Sequence, residues 1–321
     1  MRSSRGVVTA SRLNVRPEPS TQRPPLAGLA RGARLELLER LGSWYRIRSG
    51  EIEGYVHGDF VRLLEDEPAA SFLRERPELA AVPLEAPQER RIETRSGATA
   101  REKQLARTWN RTGGLLGALG ELVELEPGVA LAVLSVESSG AGFSGGRMTI
   151  RFETHLFWRQ WGVLNRSTFE LHFRFNSARP WTGHAFRLKP GAPWRNVHDD
   201  QAAEWRAFEL ASRLNEPAAK RSISMGAPQI LGSNFARIGY DSVLEMFDAF
   251  SSGLRPQIIG LFDFIKGPGT GSPLLEALRR GRFADFAAGY NGPAMAAQYA
   301  ARLERDVELF RGLMRSKKRP R

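Results

Sequence analysis

The sequence predicts a multidomain protein, a small all-β barrel followed by a mainly α (α+β) domain. Three observations carry this prediction. Residues 5–65 hold short apolar runs of strand length, separated by Gly and Pro turn signals. From Arg101 onward apolar residues recur three and four apart, the spacing of helices. Between them, residues 66–100 are rich in Pro, Ala and charge, with little periodicity. A chain of 321 residues has room for two such domains at about 100–200 residues each. The predicted boundaries are 5–65 for the β domain, 66–100 for a linker, 101–314 for the helical domain and 315–321 for a basic tail.

In the β domain, residues 7–11 form an apolar, β-branched run, and the prolines of LNVRPEPS end its pairing. RLELLER at 34–40 is a strand by its length and its flanking Gly32 and Gly42. WYRIR at 44–48 alternates apolar and polar residues, and EGYVHGDFVRLL at 53–64 closes the set. ASRLNVRPEPS, WYRIR and GYVHGDFVRL together resemble the bacterial SH3 family. That resemblance implies a small barrel that tethers wall-active enzymes to peptidoglycan. It makes Trp44, Tyr45 and Tyr55 candidates for a binding groove, the alternative being that Trp44 and Tyr55 are core.

The linker is expected to be extended and semi-rigid because of its prolines. Beyond it, EKQLARTWNRTGGLLGALGELVELE has helix spacing, interrupted at Gly113 and Gly114. Pro127 stands at a helix start, with Gly140 just past the end. GGRMTIRFETH at 145–155 alternates and predicts one or two short strands. Residues 199–215 predict a helix capped by Asp and stopped by Pro217. Four short helices closed by glycine follow, then a long amphipathic helix over 293–314. GPGTGSP at 267–273 lacks the Lys-Ser/Thr ending of a phosphate loop and is a connector.

Composition narrows the chemistry. The chain has no cysteine, which excludes disulfides, zinc–thiolate sites and cysteine nucleophiles. None of the five histidines falls in HExxH or another metal-ligand spacing, and no GxSxG elbow occurs, so no metal and no cofactor are expected. The net charge of +12 favours an anionic polymer as partner: nucleic acid, acidic lipid or bacterial wall. No basic stripe with interleaved aromatics supports nucleic acid. No apolar run reaches membrane-spanning length, and MRSSRGVVTASRLNVRPEP lacks the apolar core of a signal peptide. Action outside the cytoplasm is then expected to need another export or release route. The oligomeric state is open, with a monomer expected.

LAVLSVESSG at 131–140 carries an apolar helix up to Glu137. Burial beside Val133, Leu134 and Val136 disfavours the ionised carboxylate, and so do the carbonyl ends of the helix. Both raise its pKa, as a general acid requires. On its own the position reads instead as a glutamate paired with one of the many arginines. Glu153 follows sixteen residues later in IRFETHLF, and two carboxylates on facing elements are the equipment of glycoside hydrolysis. SISMGAPQI places Ser224, Gly226 and Gln229 in a tight turn with a polar amide expected to aim inward. AAGYNGP puts Tyr290 and Asn291 at a helix end.

AVLSVESSGAGF, IRFETHLFWR, SMGAPQILGSNFARIGY and FADFAAGYNGPA, in this order over about 105–313, resemble the N-acetylmuramidase domain of phage-type endolysins, which has a lysozyme-like core. The resemblance implies cleavage of the β-1,4 bond between N-acetylmuramic acid and N-acetylglucosamine in peptidoglycan. It implies that Glu137 is the acid, that Glu153 either activates water or positions His155 and Arg151, and that Ser224, Gln229, Tyr290 and Asn291 line the glycan groove. Residues 171–198 depart from the family pattern; Trp181, Phe186 and Trp194 there either stack on sugars or form the core of an inserted flap. A lytic transglycosylase and an inactive wall-binding protein are the alternatives.

Overall fold

The computed structural model describes residues 4–8, 10–64, 69–138, 141–267 and 271–317, apart from the side chains of 4, 40, 62–64, 137, 138, 291, 294 and 317. The chain divides into two compact units, residues 1–67 with 158–172, and residues 68–157 with 173–321.

Among the described residues the N-terminal region contains seven strands, β1 (Ser4–Val8), β2 (Arg12–Val15), β3 (Ala27–Ala30), β4 (Arg34–Leu41), β5 (Trp44–Ser49), β6 (Ile52–His57) and β7 (Val61–Leu64). Five form an antiparallel sheet in the order β6-β5-β4-β1-β7, and β2 pairs with β3. Strand alternation sends Leu13, Val15, Tyr45, Ile47 and Val56 into one core. Arg16 and Tyr55 exchange two backbone hydrogen bonds of 2.8 Å, which join the end of β2 to β6. Glycine at 54 permits this approach, since a Cβ there would lie 2.6 Å from Val15 Cγ1. The barrel is the predicted one, with a correction at Tyr45, a core residue and no groove candidate. Trp44 and Tyr55 are half-buried. Trp44 packs edge-on against His57 at 5.2 Å, and His57 neighbours the exposed Phe60 at 6.1 Å.

The predicted linker is the largest correction. Three helices open the second unit: α1 (Phe72–Glu75), α2 (Ala100–Leu122) and α3 (Pro127–Ser138). Phe72, Leu79, Ala86 and Ile92 are all buried in the same core as α2 and α3, so residues 71–92 are a strap and not a tether. The prolines abolish periodicity, yet isolated apolar side chains still fill holes between helices. The strap's backbone is satisfied by side chains of the domain. Asn110 accepts from Ile92 N at 2.8 Å and donates to Ile92 O at 2.9 Å, and Trp109 Nε1 donates to Arg90 O at 2.8 Å. Helix α2 starts at a Thr99–Glu102 capping box and runs unbroken through Gly113 and Gly114. Those glycines are there for the strap: a Cβ on Gly114 would lie 2.3 Å from Glu85 O and 2.4 Å from Pro83 O.

Helix α3 is apolar all round, and its residues 129–134 are buried. A hairpin of β8 (Phe143–Ser144) and β9 (Arg147–Met148) leads to β10 (Ile150–Phe152), then α4 (Thr154–Gln160) and α5 (Arg166–His172). Strands β11 (Phe173–Arg174), β12 (Ala185–Phe186) and β13 (Arg195–Asn196) make a small antiparallel sheet from the inserted segment. Helix α6 (Gln201–Arg221) is capped by Asp200 and breaks at Asn215, just before the predicted stop at Pro217. Strands β14 (Ile223–Met225) and β15 (Ile230–Leu231) complete a sheet of order β10-β14-β15.

The predicted C-terminal helices are α7 (Val243–Ser252), α8 (Leu254–Lys266), α9 (Pro273–Arg279), α10 (Phe283–Asn291) and α11 (Ala296–Lys317). The last is preceded by a 3-10 turn over Pro293–Met295. Among the described residues no helix is long and apolar enough to cross a membrane.

Candidate active site

Helix α3 crosses the core and carries Glu137 in its last turn. The Glu137 side chain and the predicted cap Gly140 lie outside the described residues. The bed beyond the helix is well defined. Thr149 N donates to Gly142 O at 2.9 Å, and Gly226 N donates to Thr149 O at 2.8 Å. Gln257 on α8 is fully buried beneath both loops. Its Oε1 accepts from Ala227 N at 2.8 Å, and its Nε2 donates to Phe250 O at 2.7 Å. A Cβ on Gly142 would lie 2.2 Å from Gln257 Oε1, and one on Gly226 2.5 Å from its Cδ. Gly226 also has φ +69°, where glycine is favoured. Gln257 thus locks the loop after α3 to the turn after β14. Its only sequence signal was a neutral polar residue inside the apolar run of α8.

Ser224 is half-buried on β14, in register with Arg151 on one side and Leu231 on the other. Gln229, at φ +50°, donates from Nε2 to Gly226 O at 2.8 Å. Its amide nitrogen therefore closes the turn from within. Tyr290 donates its hydroxyl to Pro228 O at 3.1 Å and stacks on Phe286 at 5.1 Å. The fold thus brings Tyr290 onto the 224–229 turn. The side chain of Asn291 lies outside the described residues.

Glu153 follows β10, with its N–H donated to Ser222 O at 2.9 Å. Arg151 Nε donates to Glu153 Oε1 at 2.9 Å, while Oε2 faces His155 Nδ1 at 3.4 Å and His184 Nδ1 at 3.3 Å. Burial pushes this carboxyl up, but contact with His155 and the charges of Arg151 and His184 outweigh it and hold the pKa at about 2. His184 is 2% exposed, and burial lowers its pKa below the usual imidazole value. Its Nε2 meets Pro180 O at 2.8 Å, and its Nδ1 meets His198 Nε2 at 2.9 Å. His198 Nδ1 meets Glu204 Oε1 at 2.8 Å, and Glu204 Oε2 accepts from Phe152 N at 2.7 Å.

His184, His198 and Glu204 were not read as site residues. Their chain spacing matches no motif. The small sheet supplies the proximity, pairing Ala185 with Asn196 and bonding Val197 N to His184 O at 3.0 Å. Chain spacing likewise hid a three-donor group, for one ligand atom each from Glu153, His155 and His184 lies within 4.8 Å of the others. In the same segment Phe186 is core and Trp181 is 65% exposed. Trp194 has the guanidinium groups of Arg174 and Arg187 over its ring at 4.6 and 4.5 Å.

Comparison with known proteins locates this architecture. Residues 126–311 match the family described as N-acetylmuramidase, and residues 11–62 match the bacterial SH3 domain. Among solved structures, the crystal structure of Burkholderia AP3 phage endolysin is 25% identical, covering 68% of this chain and 74% of that chain, with a TM-score of 0.47. No curated protein matches the chain.

Proposed function

Because the chain belongs to the N-acetylmuramidase family, a family of peptidoglycan-cleaving glycoside hydrolases, we propose that it cuts the β-1,4 bond between N-acetylmuramic acid and N-acetylglucosamine, with Glu137 as general acid. The supporting observation is the delivery of Glu137. Helix α3, buried over 129–134, carries this acid in its last turn, and Gln257 packs under both Gly142, beyond that helix, and the 224–229 turn that Tyr290 also touches. As general acid it gives its proton to the leaving oxygen. Water then attacks the anomeric carbon and gives up a proton, which restores the Glu137 carboxylic acid. Glu153 fits a positioning role better than water activation, since one oxygen is held by Arg151 and the other is flanked by His155 and His184. Ser224, Tyr290 and Asn291 supply hydroxyl and amide groups for the sugar N-acetyl substituents, with Gln229 shaping the turn that presents them. The SH3 domain holds the enzyme on the wall.

Product analysis of digested sacculi by mass spectrometry tests the reaction. N-acetylmuramic acid at new reducing ends is the expected outcome. Terminal 1,6-anhydro products point to transglycosylation, and N-acetylglucosamine reducing ends overturn the bond assignment. Glu137→Gln is expected to lower turnover by about 10²–10⁴-fold while wall binding persists. Lysis at the wild-type rate removes Glu137 from the role.

A further inference from the structure

We propose that Glu153, His155 and His184 form a binding site for one zinc-class divalent cation, which pins the inserted 173–198 segment to the end of β10 and the start of α4. The argument rests on donor and acceptor chemistry at the cluster and is independent of the muramidase reading.

Proton positions follow from the outer partners. Pro180 O only accepts, so His184 Nε2, 2.8 Å away, carries the hydrogen. With the ring neutral, Nδ1 of His184 is a lone pair. His198 Nδ1 lies 2.8 Å from Glu204 Oε1 and its Nε2 2.9 Å from His184 Nδ1, so Glu204 holds the ring of His198 against that of His184. Glu153 Oε2, an acceptor, is 3.3 Å from His184 Nδ1. His155 Nδ1 is buried, makes no hydrogen bond, and stands 3.4 Å from the same oxygen. A carboxylate oxygen and two imidazole nitrogens thus converge on one point, and a cation there gives the buried His155 nitrogen a partner.

The geometry suits a metal ion. Tetrahedral zinc with bonds of about 2.0–2.1 Å holds its ligands roughly 3.3–3.4 Å apart. The Glu153 oxygen lies 3.3 and 3.4 Å from the two histidine nitrogens, which matches two of the three ligand separations, and an inward shift of the histidine rings completes the third, since the three donors lie within 4.8 Å of one another. Two imidazoles in a set of three favour zinc over magnesium or calcium. The outer contacts are of the kind that orients metal ligands. His184 gives its other N–H to a backbone carbonyl, and the second oxygen of Glu153 is held by Arg151 at 2.9 Å. His198, fixed by Glu204, stands beside the site as a hydrogen-bonding neighbour or fourth ligand. The ligands come from two places in the chain, 153–155 and 184, so a bound cation cross-links the sheet of β10 to the inserted segment.

The test uses the full-length chain stripped with a chelator. Calorimetric titration with Zn²⁺ alone is expected to show one site of about micromolar affinity or tighter, with a rise in melting temperature. Co²⁺ is expected to give the visible absorption of a four-coordinate ion. His184→Ala and the partly exposed His155→Gln are each expected to weaken binding at least tenfold and to cancel the thermal shift. His57→Ala, in the barrel, retains both. Stripped wild-type protein that binds no Zn²⁺ at 100-fold excess overturns the proposal whether or not the variants fold. So does Zn²⁺ binding that survives His155→Gln in a folded protein.

Discussion

Asp263 is 2% exposed on α8, yet it faces the first two residues of α1, accepting from Phe72 N at 2.6 Å and Leu73 N at 3.4 Å. Burial drives its pKa from 3.8 up to about 7, with the two N–H groups and Lys266 opposing and Glu75 assisting. The sign of the pH effect is unusual for an acid. Between about pH 4 and 7 the folded chain keeps a proton that the unfolded chain has released, so stability falls as pH rises through this window. Over the full shift this amounts to roughly 4 kcal/mol. Denaturant unfolding at pH 4, 5.5, 7 and 8 is expected to show this decline in the wild type and a flatter profile in Asp263→Asn, whose side chain does not ionise. A constant difference between the two proteins across pH contradicts the assignment. At the active-site bed, Gly226→Ala joins a left-handed φ to a collision with Gln257 and is expected to cost about 1–3 kcal/mol. Fluorescence-monitored unfolding measures it. Gly226 was legible in the sequence as part of a turn, whereas Gln257 was not, because its partners come from loops about 30 and 115 residues away.

Among elements, the strap over 71–92 shows where reading by periodicity fails. Periodicity detects a regular element with one apolar face. The strap has no regular element, only single apolar side chains set into α2 and its neighbours. The Gly113–Gly114 pair reads in sequence as an interruption of the helix; in the structure it is the groove that receives residues 83–85. Gly114→Ala puts a methyl group against two backbone carbonyls that cannot rotate away. It is expected to lower stability by about 2–4 kcal/mol and to expose residues 76–91 to trypsin. Asn110→Ala removes both hydrogen bonds to Ile92 and is expected to give the same cleavage pattern with a smaller loss, about 1–3 kcal/mol. Unchanged proteolysis in both variants means that the apolar contacts alone hold the strap. The long elements with full apolar faces, α2, α3, α6 and α11, were legible because their pattern is local. The histidine cluster was not, since strand pairing between β12 and β13 creates it.

On the scale of the whole molecule, the two family matches pair a bacterial SH3 β module with a muramidase domain in one basic chain. This order was readable from the sequence because each module repeats its own local pattern, strand-length runs in one and helix spacing in the other. If the barrel holds the enzyme on its polymer, its benefit is effective concentration, not chemistry. The aromatic row Trp44–His57–Phe60 is then the surface to disturb, because Tyr45 and the rest of the barrel core would unfold it instead. Trp44→Ala combined with Phe60→Ala is expected to raise the apparent KM on insoluble sacculi by about 10–100-fold and to leave kcat on soluble glycan fragments unchanged. The charge of +12 adds a second, screenable attraction to an anionic wall, so wild-type binding to sacculi is expected to weaken as salt shortens the Debye length from about 10 Å at 0.1 M to 3 Å at 1 M. The double variant is expected to bind sacculi more weakly than the wild type at every salt concentration with the same salt slope, because its charge is unchanged and only the uncharged part of its grip is lost. Equal losses on soluble and insoluble substrates place the aromatic row in folding or catalysis, and wild-type binding by the variant at 1 M salt assigns wall retention to charge alone.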